Sequence, residues 1–156
     1  MDKYPMTPEG HQRLMTELKK LREVERPANV KAIEDARAHG DLSENAEYKF
    51  AKEQQSIIAG RIEYLEDRIS RAEVIDPAKM KGDRVVFGAK VVLENLETGE
   101  IVTYRIVGED EASIDAGKIS ITSPISRGII RREAGDQVTI QTPSGAKRYE
   151  ISEVTF

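Results

Sequence analysis

Residues 43–72 read SENAEYKFAKEQQSIIAGRIEYLEDRISRA, and within them Ala51, Gln55, Ile58, Ile62, Leu65, Ile69 and Ala72 follow one another at alternating steps of four and three. That spacing keeps one narrow stripe of a helix turned toward a partner, the seam of a coiled coil. Gln55 is a polar exception, and Gly60 weakens a helix by up to about 1 kcal/mol relative to Ala, but neither breaks the repeat. The partner is supplied upstream. Thr7, Pro8 and Glu9 read as an N-cap, a first helical residue and an acid in the first turn. Leu14, Leu18 and Leu21 follow at helical spacing, Pro27 interrupts, and Val30 and Ile33 resume an apolar face. One long helix is expected, kinked or shifted in phase near Pro27. Only a short break near His39, Gly40, Asp41 and Leu42 separates it from the second helix. So short a loop forces the two to run antiparallel, as a hairpin about 45 Å long at 1.5 Å per residue.

The helical period stops at residues 76–83, DPAKMKGD, a stretch of turn formers that reads as a linker. Beyond it, residues 85–87, 91–96, 101–107, 138–141 and 149–154 are β-branched or alternating runs. Turn signals separate several of them at residues 97–100 (ETGE), 135–136 (GD) and 143–145 (PSG). Ser123 and Pro124 read as the cap and first residue of a short helix reaching about Ile130. The chain is therefore expected to divide into a coiled-coil hairpin over 1–76 and a small antiparallel α+β domain over 77–156.

Composition narrows the chemistry. The 156 residues include no Cys, which excludes disulfides, thiolate zinc sites and a thiol nucleophile, and only His11 and His39 remain for imidazole chemistry. A self-contained metalloenzyme is hard to build from that set. The net charge of −4 argues against a general nucleic-acid binder, so any RNA contact has to be local. A charged fraction of 33% with only 5% aromatics suits long, surface-rich helices. No stretch offers the roughly 18 to 20 apolar residues of a membrane span, and the start, MDKYPMTPEG, lacks the features of a signal peptide. A cytoplasmic location is expected.

Candidate chemistry gathers in the loop, where Asp41 and Glu44 stand three apart. Two readings stay open on spacing alone. The pair could form a capping box, an acid at the N-cap with Glu three positions on, or it could be a functional carboxylate pair. Ser43 and Glu47 have ordinary readings as capping or solvent-facing residues. Arg37, Lys49 and Lys52 are cations near the same end, while Tyr48 and Phe50 could stack on a base or pack between the helices.

The segment EDARAHGDLSENAEYKFAKEQQ, residues 34–55, set between two long helices, resembles the tip of the bacterial Gre transcript cleavage factors, nearer the GreA branch than the GreB branch. The resemblance extends over nearly the whole chain, through PMTPEG at 5–10, REVERP at 22–27, VID at 74–76, VVFGAKV at 85–91, YRIVGEDEA at 104–112 and SPISRGII at 123–130. It implies a transcription elongation factor whose second domain has an FK506-binding-protein-like fold. It further implies that the hairpin enters the secondary channel of bacterial RNA polymerase and sets Asp41 and Glu44 beside the catalytic centre. There they would share magnesium with the polymerase, which cleaves its own backtracked transcript. The chain would then be no enzyme by itself and would hold no cofactor stably when alone. Arg37 and Lys52 would contact the nascent RNA 3′ end, and Ser123, Pro124 and Ile125 would dock on the channel rim. DNA binding is implied as well. Prolyl isomerase activity does not follow from the fold, since function lives in sites rather than folds. Phe87, Tyr104, Tyr149 and Phe156 are also a poor supply of aromatics for a proline pocket. The competing expectation is a Gre-like regulator that occupies the channel and inhibits. Such relatives carry altered acid sets, whereas this chain keeps Asp-Leu-Ser-Glu at 41–44.

Overall fold

The computed structural model describes residues 2–40 and 45–156. They form two compact units: residues 11–71, and residues 2–10 together with 72–156. The division thus falls at Gly10/His11 and Arg71/Ala72 instead of at the linker after Asp76. The reason is a two-stranded parallel sheet in which β1 (Tyr4–Met6) pairs with β2 (Ala72–Val74), Tyr4 opposite Ala72 and Met6 opposite Val74. Ala72, read above as the last rung of the helical seam, is in this strand. The expected linker is partly ordered as well, with the Asp76 side chain accepting from the Ala78 N–H at 3.0 Å to cap a 3-10 turn over Pro77–Lys79.

In the helical unit, α1 (Pro8–Lys20) runs into a π-helical turn at Leu21–Glu25 and then into α2 (Arg26–Arg37), and α3 (Ala46–Ser70) returns. Thr7 caps α1 as expected, its hydroxyl accepting from the Gly10 N–H at 3.1 Å. The π turn is the answer to Pro27. The Arg26 N–H donates five residues back to the Leu21 carbonyl, which inserts one residue into the helical count. The buried face therefore runs Leu14, Leu18, Leu21 and then Asn29, Ile33, Ala36. Val30, expected on that face, is instead 45% exposed. Asn29 takes the inner position and donates from Nδ2 to the Ala51 carbonyl at 2.9 Å. Near the closed end the Asn45 amide donates to the Ala36 carbonyl at 2.6 Å, so 29 faces 51 and 36 faces 45, an antiparallel pairing. On α3 the seam residues Ala51, Ile62 and Leu65 are buried, Ile58 and Ile69 half-buried and Gln55 exposed. Arg61 grips both oxygens of Glu17 from the facing helix, at 2.5 and 2.9 Å, and holds the Glu17 carboxyl below its ordinary range.

The other unit is built on a five-stranded sheet, in the order β5-β4-β3-β7-β6, from β3 (Lys90–Asn95), β4 (Ile101–Val107), β5 (Lys118–Ser120), β6 (Gln137–Thr142) and β7 (Gly145–Thr155). Strands β3, β4, β6 and β7 pair antiparallel, but β5 runs parallel to β4, with Arg105 opposite Lys118 and Val107 opposite Ser120. The sheet is therefore mixed, not antiparallel as expected. A three-residue strand needs so little return path that two 3-10 turns, at Glu109–Glu111 and Ile114–Ala116, suffice to bring the chain back. Residues 85–87, expected as a strand, belong to no named strand. Val85 exchanges backbone hydrogen bonds with the segment just after helix α4 (Pro124–Ile129), accepting from Arg131 and donating to Arg132, each at 2.7 Å. The run is apolar because it is core: Val85 and Phe87 are buried with Val91, Leu93, Ile106, Ile119, Ile129, Ile140 and Ile151.

The phase shift makes adjacent residues unequal. Asn29→Ala should lower the unfolding free energy by about 1–2 kcal/mol through loss of a buried hydrogen bond and its packing. Val30→Ala should stay within about 0.5 kcal/mol of the parent. Urea unfolding followed by circular dichroism reads both, and equal effects would argue against the one-residue insertion.

Candidate interaction surfaces

Two places carry the residues singled out from sequence, one in each unit. At the closed end of the hairpin, α2 unwinds through Ala38, His39 and Gly40, whose N–H groups donate back to Glu34, Ala36 and Arg37 at 3.2 to 3.3 Å. Gly40 has φ of 103°, a conformation that side-chain-bearing residues avoid, which is why a glycine stands there. Asp41 and Glu44 lie outside the described residues, as does Ser43. On the far side, Asn45 is the N-cap of α3, its Oδ1 accepting from the Tyr48 N–H at 3.0 Å. The helix, expected from about Ser43, thus begins at Ala46, and its cap is an amide rather than either acid. Asn45 serves twice, since its Nδ2 also ties the Ala36 carbonyl across the hairpin.

Around this end the side chains are charged and exposed. Arg37 lies over the Tyr48 ring, 5.9 Å from guanidinium carbon to ring centre, a cation–π contact that leaves the guanidinium in solvent. Lys52 donates to Gln55 at 2.7 Å and is exposed. Because Ala51 faces Asn29, Lys52 sits beside residue 28, nine positions below Arg37, or about 13 Å along the hairpin. The two cations are therefore spread along the hairpin and do not form one tight patch. Glu47 is exposed, 3.9 Å from His39. Phe50, for which packing between helices was open, is 62% exposed, whereas Tyr48 is half-buried beneath Arg37. Among the described residues no cluster of three or more His, Cys, Asp or Glu is placed to hold a metal.

In the sheet unit Ser123 caps α4, its hydroxyl accepting from the Ser126 N–H at 3.2 Å and donating to the Ser126 hydroxyl, which itself donates to the Ser120 carbonyl at 2.6 Å. Pro124 occupies the first turn of α4. Ser123, Pro124 and Ile125 line an open groove of about 430 Å³ whose other walls include Ile114, Ile119 and Pro143. Its lining is overwhelmingly apolar, with Lys118 as the one cation among the residues around it. Ile114, 69% exposed, escaped sequence reading because a lone Ile between Ser113 and Asp115 shows no period.

The described residues thus offer an exposed, charged hairpin end in one unit and an open apolar groove in the other, with no cluster of metal ligands. Comparison with known proteins gives the class more closely. Residues 4–74 match the family profile described as transcription elongation factor, N-terminal, and residues 79–156 match that of transcription elongation factor, GreA/GreB, C-term. The transcription elongation factor GreA of Anaeromyxobacter sp. is 59% identical over 156 residues, covering 100% of this chain and 94% of that protein. Its counterpart in Hyphomonas neptunium is 53% identical, covering 100% and 99%. The crystal structure of the GreA factor homolog 1 protein of Thermus thermophilus aligns over 99% of both chains, at 27% identity and a TM-score of 0.45. The chain belongs to the GreA/GreB family of transcription elongation factors, and no helix among its described residues is long and apolar enough to cross a membrane.

The Ser123 network carries a prediction of its own. Ser123→Ala removes the cap of α4 and should cost about 0.5–2 kcal/mol in the stability of the sheet unit. Thermal unfolding checks this, and an unchanged midpoint would free Ser123 from the capping role.

Proposed function

We propose that this elongation factor acts on bacterial RNA polymerase in the cytoplasm, entering the secondary channel with its hairpin and lending Asp41 and Glu44 to the polymerase catalytic centre. The polymerase then hydrolyses its backtracked transcript, and the arrested complex resumes synthesis. The observation that carries this reading is the Asn45 cap: α3 has its N-terminal hydrogen bond without either acid, so the carboxylates of the loop are not required for that duty. Their kind suits a shared metal. Magnesium keeps several waters and is commonly held by one or two carboxylates, so two acids on a probe complete a shell begun elsewhere. Magnesium bound there would lower the pKa of a water and stabilise the leaving oxygen of the phosphodiester. This division of labour makes the chain a stimulating protein and the polymerase the enzyme.

The remaining residues fall into place around that step. Arg37 and Lys52, spread along the hairpin, offer positive charge to the phosphates of the RNA 3′ end as it passes the closed end. Ser123, Pro124 and Ile125 line the groove that docks on the channel rim, where an apolar surface gains by leaving water. The names of the relatives at 53–59% identity favour an elongation factor over a purely inhibitory occupant of the channel.

A halted, backtracked polymerase carrying 3′-labelled RNA tests the reading directly, with release of short labelled fragments as the signal. Asp41→Asn and Glu44→Gln should each compete with the parent protein for polymerase while stimulating cleavage at least about tenfold less, roughly 1.4 kcal/mol of barrier. Parent-like cleavage by both variants would remove the acids from the mechanism.

Replacing Arg37 and Lys52 together by Ala should shift the dose response to higher factor concentration at low salt, with the shift shrinking as salt screens the parent's advantage. Coincident curves at low salt would take these cations out of RNA contact.

A further inference from the structure

Helix α3 carries a second stripe beside its seam. Phe50, Ile57 and Tyr64 stand seven residues apart, so each falls within about 20° of the one before it on the same side of the helix. They lie one position before the seam residues Ala51, Ile58 and Leu65 and so flank the contact with α2 without joining it. Phe50 is 62% exposed and Ile57 61%, while Tyr64 is half-buried. Single exposed apolar residues are ordinary, but a line of them at the coiled-coil repeat is the pattern that packs against another helix.

Gly60 is an independent sign of the same thing. It stands inside α3, where only Pro is less favoured, and a Cβ built on it would meet nothing within 4 Å beyond its own helix. No contact within the helical unit therefore calls for a glycine there. A mid-helix glycine is accounted for where something from outside comes close.

The charges beside the stripe select the occupant. If a second α3 is laid antiparallel about a two-fold axis at Ile57, residues equally far before and after position 57 face each other. Phe50 of one copy then meets Tyr64 of the other, an aromatic pair flanked by Arg61 and Arg68, whose guanidinium carbons lie 5.1 and 5.0 Å from the Tyr64 ring centre. Gln54 falls across Gly60, and the exposed Glu53 faces Arg61. Arg61 already holds Glu17, but a guanidinium has five donors and can serve two carboxylates. A parallel pairing would instead set Arg61 against Arg61, Arg68 against Arg68 and Glu53 against Glu53, like charges throughout.

We propose that this stripe is a self-association surface on which a second copy of the chain packs its own α3 antiparallel, centred on Ile57. The interface is the same patch on both copies and is small, so the dimer is weak and depends on concentration. It brings Ala46 of one copy beside Arg68 of the other, so each closed end lies along a neighbouring helix. On the transcript-cleavage reading, on which this consequence rests, the dimer is a reserve form whose tip enters the channel only after dissociation.

Sedimentation of the full chain at concentrations up to about 1 mM, the weak end of measurable affinity, should show a monomer–dimer equilibrium. Ile57→Glu sets two acids on the axis, and Glu53→Arg sets like charge against Arg61. Each should raise the dissociation constant at least about tenfold with the helical circular dichroism unchanged, since both positions are exposed. The chain has no Cys, so single cysteines report register under a copper–phenanthroline oxidant. Ile57→Cys should cross-link with itself, whereas Ile101→Cys, equally exposed on β4, should not. Phe50→Cys should link to Tyr64→Cys and not to itself, because the antiparallel pairing sets its two copies about 21 Å apart along the helices. A monomer at every concentration overturns the proposal, and if Ile57→Glu then also fails to compete for polymerase, the stripe belongs to that partner. Self-linking of Phe50→Cys overturns the antiparallel arrangement. The oxidised Ile57→Cys dimer should stimulate cleavage at least about tenfold less than the same protein after reduction, and equal stimulation overturns the reserve role. A reduced protein that stimulates no cleavage counts against the proposed function alone, because sedimentation and cross-linking still decide the pairing.

Discussion

Proline has no N–H to donate, and at Pro27 this chain absorbs the missing helical hydrogen bond with a single π turn. Much of the hairpin depends on that adjustment. The bond from Arg26 to Leu21 adds one residue to the helical count, which rotates everything downstream and brings Asn29, Ile33 and Ala36 to the inner face. Without it the stripe that begins at Leu14 would turn away from α3 before reaching the closed end. The buried hydrogen bond from Asn29 to Ala51 then sets which residues of the two helices lie opposite one another. A polar residue inside an apolar seam is a device for fixing register at some cost in stability, and here it stands directly after the phase change, where register is least determined by apolar packing.

The sheet unit solves a different problem, closing a small core with few large side chains. Strand β7, eleven residues long, pairs with both β3 and β6, and a register shift opposite Val92 and Leu93 lets it follow the twist of the sheet. Helix α4 covers the sheet with Ile129, and residues 85–87 fill the remaining side. The open groove beside β5 follows from this economy. A strand of three residues and a helix of six leave an apolar rim that neither is long enough to cover.

At the closed end of the hairpin the described side chains rely on local contacts more than on burial. Asn45 supplies two of them, capping α3 with one atom and tying α2 with another. Tyr48 beneath Arg37 holds a cation in solvent without enclosing it. An exposed cation–π contact of this kind is worth only about 0.5–1 kcal/mol.

Much of this was legible in the amino-acid order. The period of four and three announced α3, Thr7-Pro8-Glu9 the start of α1, Ser123-Pro124 the start of α4, and the segment at 34–55 the family. Each of these signals is local, carried by residues within one or two turns of each other, and local hydrogen bonding and periodicity act the same way whatever surrounds them. The tertiary structure decided the rest. Val30 gave way to Asn29 because a π turn changed the count, and residues 85–87 proved to be core without being a strand. Strand β5, with one Ile between polar neighbours, exists only because β4 offers it an edge. Glu111 stands beside Glu109 and Asp110 with nothing local to set it apart, yet it is buried against Thr7 through bonds spanning 104 positions. No pattern among near neighbours encodes such a bond, because its free energy appears only when folding has already brought the two segments together and removed the water between them.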